Sequence, residues 1–186
     1  HRDLHSFPTR RSSDLIRSTS TVRKLLARAM DIPLLDAQLI LGSVLGCSRS
    51  WIIAHNNDFV CKKAEKQFRC KVKRRISGEP IAYILGYQEF WSRNFKVDQT
   101  TLIPRPETES LVEIALEQIP NKPITVLDLG TGCGAIGITL ACERCNWTVI
   151  ANDLSAPALK VAQKNAHTIP NIAFFQGNWC DAIKPN

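Results

Sequence analysis

The stretch Ile124-Thr125-Val126-Leu127-Asp128-Leu129-Gly130-Thr131-Gly132-Cys133-Gly134 decides the fold. Ile124 to Leu129 is a short apolar run with β-branched residues, and it reads as a strand. Three glycines within the next five residues turn the chain sharply, and a helix is predicted from about Ala135 to Ala141. Glycine suits such a turn because the backbone bends tightly there and a ligand can approach the main chain closely. The helix start that follows presents N–H groups with no partner inside the helix.

Working outward, Val149-Ile150-Ala151 reads as a second buried strand, Ala156 to Ala166 as a second helix and Ile172 to Phe175 as a third strand. Strands alternating with helices make an α/β fold, a parallel sheet with crossover connections. Gly132, Gly134 and Gly137 fit the spacing G-x-G-x-x-G, which taken alone equally suits a dinucleotide. Asp153 follows the second strand, and a carboxylate there can accept from both ribose hydroxyls of a nucleoside. Turn and acid together point to an adenosine-containing ligand. Two details favour S-adenosyl-L-methionine over a nicotinamide dinucleotide. Asp128 stands at the strand end, where dinucleotide folds usually carry an apolar residue. Asn152-Asp153-Leu154-Ser155, leading into Ala158 to Ala166, resembles class I methyltransferases.

Upstream the period changes to that of helices. Ser20 or Thr21 can cap a helix with Val22, Leu25, Leu26, Ala29 and Met30 on its apolar face. Pro33 opens a second helix, with Leu35, Leu39, Val44 and Leu45 inward and Gly46 as its stop. Trp51 to His55 makes a third helix, and Lys62 to Ile76 a fourth with Ala64, Phe68, Val72 and Ile76 on one side. Glu89 to Val97 predicts a β-hairpin around Ser92-Arg93-Asn94, and Pro106 opens a helix containing Leu111 to Leu116.

The chain of 186 residues has 44% hydrophobic content and a formal net charge of +7. Eight Lys or Arg and one Glu lie between Lys62 and Arg75, a basic run that reads as the solvated face of a helix, with a nucleic-acid or acidic protein face as the alternative. No run reaches the roughly 18–20 apolar residues that cross a bilayer. Seven cysteines without an export signal fit reduced thiols in a cytosol, so a cytoplasmic location is expected. Cys142 and Cys145 have C-x-x-C spacing but no second pair at a suitable distance, so no metal is assigned. Cys133 reads as a small side chain, not a nucleophile. His55 and His167 read as surface or boundary residues.

Gly78-Glu79-Pro80-Ile81-Ala82-Tyr83-Ile84-Leu85-Gly86, Glu89-Phe90-Trp91 and Leu102-Ile103-Pro104-Arg105-Pro106-Glu107-Thr108-Glu109 resemble the linker of the release factor glutamine methyltransferases, the HemK-like family. Asp36 to Leu41 resembles that family's N-terminal helical domain. The resemblance implies a Rossmann-like class I methyltransferase domain that uses S-adenosyl-L-methionine to methylate a glutamine side-chain amide in a peptide chain release factor. It implies that Gly130, Thr131, Gly132, Cys133 and Gly134 line the methionine and ribose part of the cofactor, that Asp153 holds the ribose hydroxyls and that Trp179 lies against the adenine. Family members commonly have Asp where this chain has Asn178. No individual roles are assigned to Arg105, Glu107 or Glu109.

The resulting domain expectation is fourfold. Residues 1–15 resemble a translated sequencing-library adapter, 16–76 form a helical substrate-recognition domain, 77–105 a linker with a hairpin, and 106–186 a partial cofactor domain whose parallel sheet stops after its third strand. The family's Asn-Pro-Pro-Tyr substrate motif would follow a fourth strand beyond Asn186. The expectation is therefore that the parent protein is an active, monomeric enzyme needing neither membrane nor nucleic acid, and that this chain alone is inactive. A nucleic-acid amino-group methyltransferase, which uses a related motif on an exocyclic nitrogen, is the alternative function.

Overall fold

The computed structural model describes residues 20–179, so the adapter-like residues 1–15 lie outside the described residues. The chain divides between Leu85 and Gly86 into two compact units.

The first unit is helical. Strand β1 (Ser20–Thr21) pairs antiparallel with β2 (Phe59–Val60). The helices are α1 (Val22–Ala27), α2 (Leu34–Leu45), α3 (Arg49–Ala54), α4 (Lys62–Ile76) and α5 (Ile81–Leu85), and the other four pack against α2. Thr21 caps α1 through its hydroxyl, which accepts from the Lys24 N–H. Leu25, Ile32, Ile40, Leu41, Ile52, Phe68 and Ile84 are the largest members of the core. Complete burial of such side chains contributes roughly 1.5–3 kcal/mol each.

Three expected core positions are corrected. Met30 is 85% exposed, because α1 ends at Ala27 and the chain has left the helical face before reaching it. Leu35 is 49% exposed, and α2 turns Asp36, Ala37, Ile40 and Leu41 inward instead. The reason lies on α4: Arg75 Nε donates to Asp36 Oδ2 at 2.7 Å, which gives a mostly buried carboxylate its partner. Ile76, the last residue of α4, is half exposed where the helix runs out. The third helix begins at Arg49, with Ser48 as its cap, and ends at Ala54.

The second unit begins with a hairpin of β3 (Tyr87–Phe90) and β4 (Arg93–Lys96), in register Phe90 opposite Arg93 and Tyr87 opposite Lys96. A 3-10 turn at Pro106–Thr108 leads into α6 (Glu109–Gln118). Then follow β5 (Thr125–Leu129), α7 (Ala135–Glu143), β6 (Thr148–Asp153), α8 (Ala156–Asn165) and β7 (Ile172–Gln176). The three strands pair in parallel in the order β5-β6-β7, as the alternating pattern predicts. The expected strand at Ile124 begins one residue later, at Thr125. Trp147, Val149, Ala151 and Ala162 are buried between sheet and helices.

Candidate cofactor site

The glycine turn lies at the carboxyl end of β5, and groups on β5, β6 and α8 hold it. Gly130 N–H and Thr131 N–H both donate to the Asn152 carbonyl, at 3.0 and 2.8 Å, which fixes the turn to the neighbouring strand. Gly134 sits at φ 87° as the residue preceding α7, a conformation that glycine adopts without Cβ strain. A Cβ there would meet Ile138 Cδ1 at 2.5 Å.

Asp128 points inward. Its Oδ2 accepts from Thr131 Oγ1 at 2.6 Å and from Gly137 N–H at 3.0 Å. Burial pushes its carboxyl above the ordinary range, against the pull of these two hydrogen bonds, and the Asp153 charge adds to the rise. The third glycine of the motif thus serves packing: a Cβ on Gly137 would lie 2.7 Å from Asp128 Oδ2. Asp128 is a brace for the turn.

Asp153, at the end of β6, is half-buried. Its Oδ2 accepts from Gly132 N–H at 2.9 Å and its Oδ1 from Ser155 N–H at 2.9 Å. Each oxygen keeps a further lone pair for another donor. Gly130 and Gly132 have positive φ, and a Cβ built on either meets nothing within 4 Å. The turn is therefore open above its first two glycines and closed below Gly134. Cys133 is buried, and that burial raises its thiol to about 11, so it stays protonated at neutral pH and is no nucleophile.

Trp179 closes the described chain near the same strand ends, with its side chain 68% exposed and its backbone at φ 48°. Its carbonyl accepts from Asn152 Nδ2 at 2.6 Å, and Gly177 N–H donates to the Asp153 carbonyl at 3.2 Å. The structure thus brings Gly130, Thr131, Gly132, Cys133, Gly134, Asp153 and the Trp179 backbone into one neighbourhood.

Two amides gained no role from sequence. Asn152, 1% exposed, spans the turn and the Trp179 segment, and its signal was a polar residue inside an apolar strand. Asn165 accepts from Lys96 N–H at 2.9 Å and donates to the carbonyls of Lys96 and Cys133 at 3.0 and 2.9 Å. It lies inside the Ala158 to Ala166 string of the methyltransferase resemblance, which gives it no role of its own. Glu109 gains a contact as well: its Oε1 accepts from Trp91 N–H at 2.8 Å, at a hairpin turn whose Trp91 and Ser92 both have positive φ.

Residues 19–86 match the family described as PrmC N-terminal domain, and residues 126–186 match the one described as Methyltransferase domain. A release factor glutamine methyltransferase of Coxiella burnetii is 45% identical over 169 residues, which cover 89% of this chain and 61% of that protein. One of Aliivibrio fischeri is 41% identical over 165 residues, 88% of this chain and 58% of that protein. Over most of its own length the chain is similar to release factor glutamine methyltransferases. A third such protein, of Escherichia coli K12, is 42% identical over 158 residues, 84% of this chain and 57% of that protein. The chain thus spans about three fifths of the length of the family members it matches. The α/β unit with its parallel three-stranded sheet is an incomplete Rossmann-like methyltransferase domain. Among the described residues no helix is long and apolar enough to cross a membrane.

Proposed function

We propose that the protein to which this chain belongs transfers a methyl group from S-adenosyl-L-methionine to the side-chain amide nitrogen of a glutamine in a peptide chain release factor. The observation that carries the reading is the open glycine turn held against Asp153 in a chain similar to this family. The residues fit the cofactor. Gly130 and Gly132 leave free space over the main chain, and Asp153 offers one unused lone pair on each oxygen to a ribose diol.

In this reading Gly130, Thr131, Gly132, Cys133 and Gly134 hold the methionine and ribose part. Trp179 offers an exposed indole to the adenine. When bound, the cofactor supplies an electrophilic methyl on a sulfonium. An amide nitrogen is a weak nucleophile, so alignment must supply most of the acceleration. The chain's contribution is a turn whose N–H groups are already committed to Asn152 and Asp153, so that it needs little reordering on binding. Residues 16–76 are assigned to recognition of the protein substrate, 77–105 to the linker and 106–186 to the cofactor. The protein acts as a cytoplasmic monomer.

Calorimetry with S-adenosyl-L-methionine tests the cofactor assignment, and Asp153→Ala is expected to abolish the heat without unfolding the chain. Mass spectrometry of a release factor incubated with the protein and the cofactor tests the substrate. A gain of one methyl on a glutamine is expected. Uptake of a nicotinamide dinucleotide, or methylation of a DNA duplex alone, would overturn the reading.

A further inference from the structure

Asn165 is the last residue of α8 and gains no cofactor role from the sequence, yet its amide makes three hydrogen bonds. Its oxygen accepts from Lys96 N–H, and its two N–H groups reach Lys96 O at 3.0 Å and Cys133 O at 2.9 Å. An asparagine amide offers two donors, and both are used here. One end of this contact is β4 of the hairpin, and the other is the fourth residue of the glycine turn.

Pairing with Lys96 is not redundant with the hairpin ladder. Lys96 lies opposite Tyr87, and its N–H and C=O both go to the Asn165 side chain. The hairpin therefore has a side-chain amide where another strand would dock. That amide in turn holds the Cys133 carbonyl, one residue from the Gly132 N–H that Asp153 accepts.

We propose that Asn165 is a positioning residue that couples the β3–β4 hairpin to the cofactor turn, so that the hairpin sets the turn's affinity for S-adenosyl-L-methionine without touching it. The inference rests on the cofactor assignment above. The chemistry is specific to asparagine: aspartate loses both donors and sets a charge against two carbonyls, glutamine is one methylene too long for both contacts, and leucine loses all three.

The test reads cofactor affinity by calorimetry, with thermal melting alongside, for the unchanged chain, Asn165→Ala, Asn165→Asp and Lys96→Pro. Lys96→Pro removes the N–H that Asn165 accepts, at a position outside the cofactor turn. Each substitution is expected to raise Kd about tenfold, the loss of one or two hydrogen bonds. Asn165→Asp is expected to exceed Asn165→Ala, and Lys96→Pro is expected to add little when combined with Asn165→Ala. Should Asn165→Ala fail to fold, Lys96→Pro decides. A folded Lys96→Pro chain with unchanged Kd overturns the coupling. Absence of cofactor binding by the unchanged chain overturns the cofactor assignment instead.

Discussion

Gly137→Ala is a substitution whose sign separates packing from propensity. In an exposed helix interior the change stabilises by about 1 kcal/mol, since Ala is the better helix former. Here the new Cβ would fall 2.7 Å from Asp128 Oδ2 and 3.3 Å from Asp128 Cβ. Asp128 cannot swing aside freely, because Thr131 Oγ1 and Gly137 N–H hold the same oxygen. Overpacking costs about 1–3 kcal/mol. A strained or broken hydrogen bond to the buried carboxylate adds about 1.5–3 kcal/mol. Set against the propensity gain, the net is a loss of about 1.5–5 kcal/mol. Urea denaturation followed by far-UV circular dichroism measures it. A double-mutant cycle with Asp128→Ala isolates the cause: once Asp128→Ala has removed the clash, Gly137→Ala should become neutral or slightly stabilising. A Gly137→Ala chain as stable as the unchanged one, or an equal cost in both backgrounds, would refute the argument that Gly137 exists to admit Asp128.

Three further outcomes are expected. Trp147 is 1% exposed, and its indole N–H lacks a partner among the described residues. Trp147→Phe should therefore stay within about 1 kcal/mol of the unchanged chain, and Trp147→Ala should cost about 3–5 kcal/mol by the same denaturation. Burial raises the Cys133 thiol to about 11, above its unfolded value, so its contribution to stability is fully present below pH ~9. That contribution is lost as pH rises toward 11, a decline of about 2–3 kcal/mol that Cys133→Ala should largely remove. In native chain at neutral pH, iodoacetamide should label the exposed Cys70 and Cys145 and spare Cys133, which peptide mapping reads directly.

The parallel sheet and the glycine turn were legible because their signals are local. A short strand, a turn of glycines and a helix start are each fixed by neighbours in sequence, and β5, α7, β6, α8 and β7 follow the expected pattern. What was not legible depended on distant partners. The inward face of α2 is set by Arg75, 39 residues beyond Asp36, and periodicity cannot see that ion pair. The structural part played by Asp128 was not legible either. Its place at a strand end spoke for the ligand class, and the bracing of its carboxylate by Thr131 and Gly137 depends on how the turn folds back.

The same contrast bears on what the glycine motif can do by itself. Its conformation is imposed from elsewhere: Asp128 from β5, the Asn152 carbonyl and the Asp153 carboxylate from β6, and Asn165 from the end of α8. The nearest of these partners beyond the turn, on β6, lies 21 or 22 residues away in sequence. Glycine loses the most conformational entropy on ordering, so a turn this rich in it gains least from its own sequence. A peptide of residues 124–137 should accordingly show neither helix nor cofactor binding, because the carboxylate and amides that shape the turn arrive only when the sheet closes.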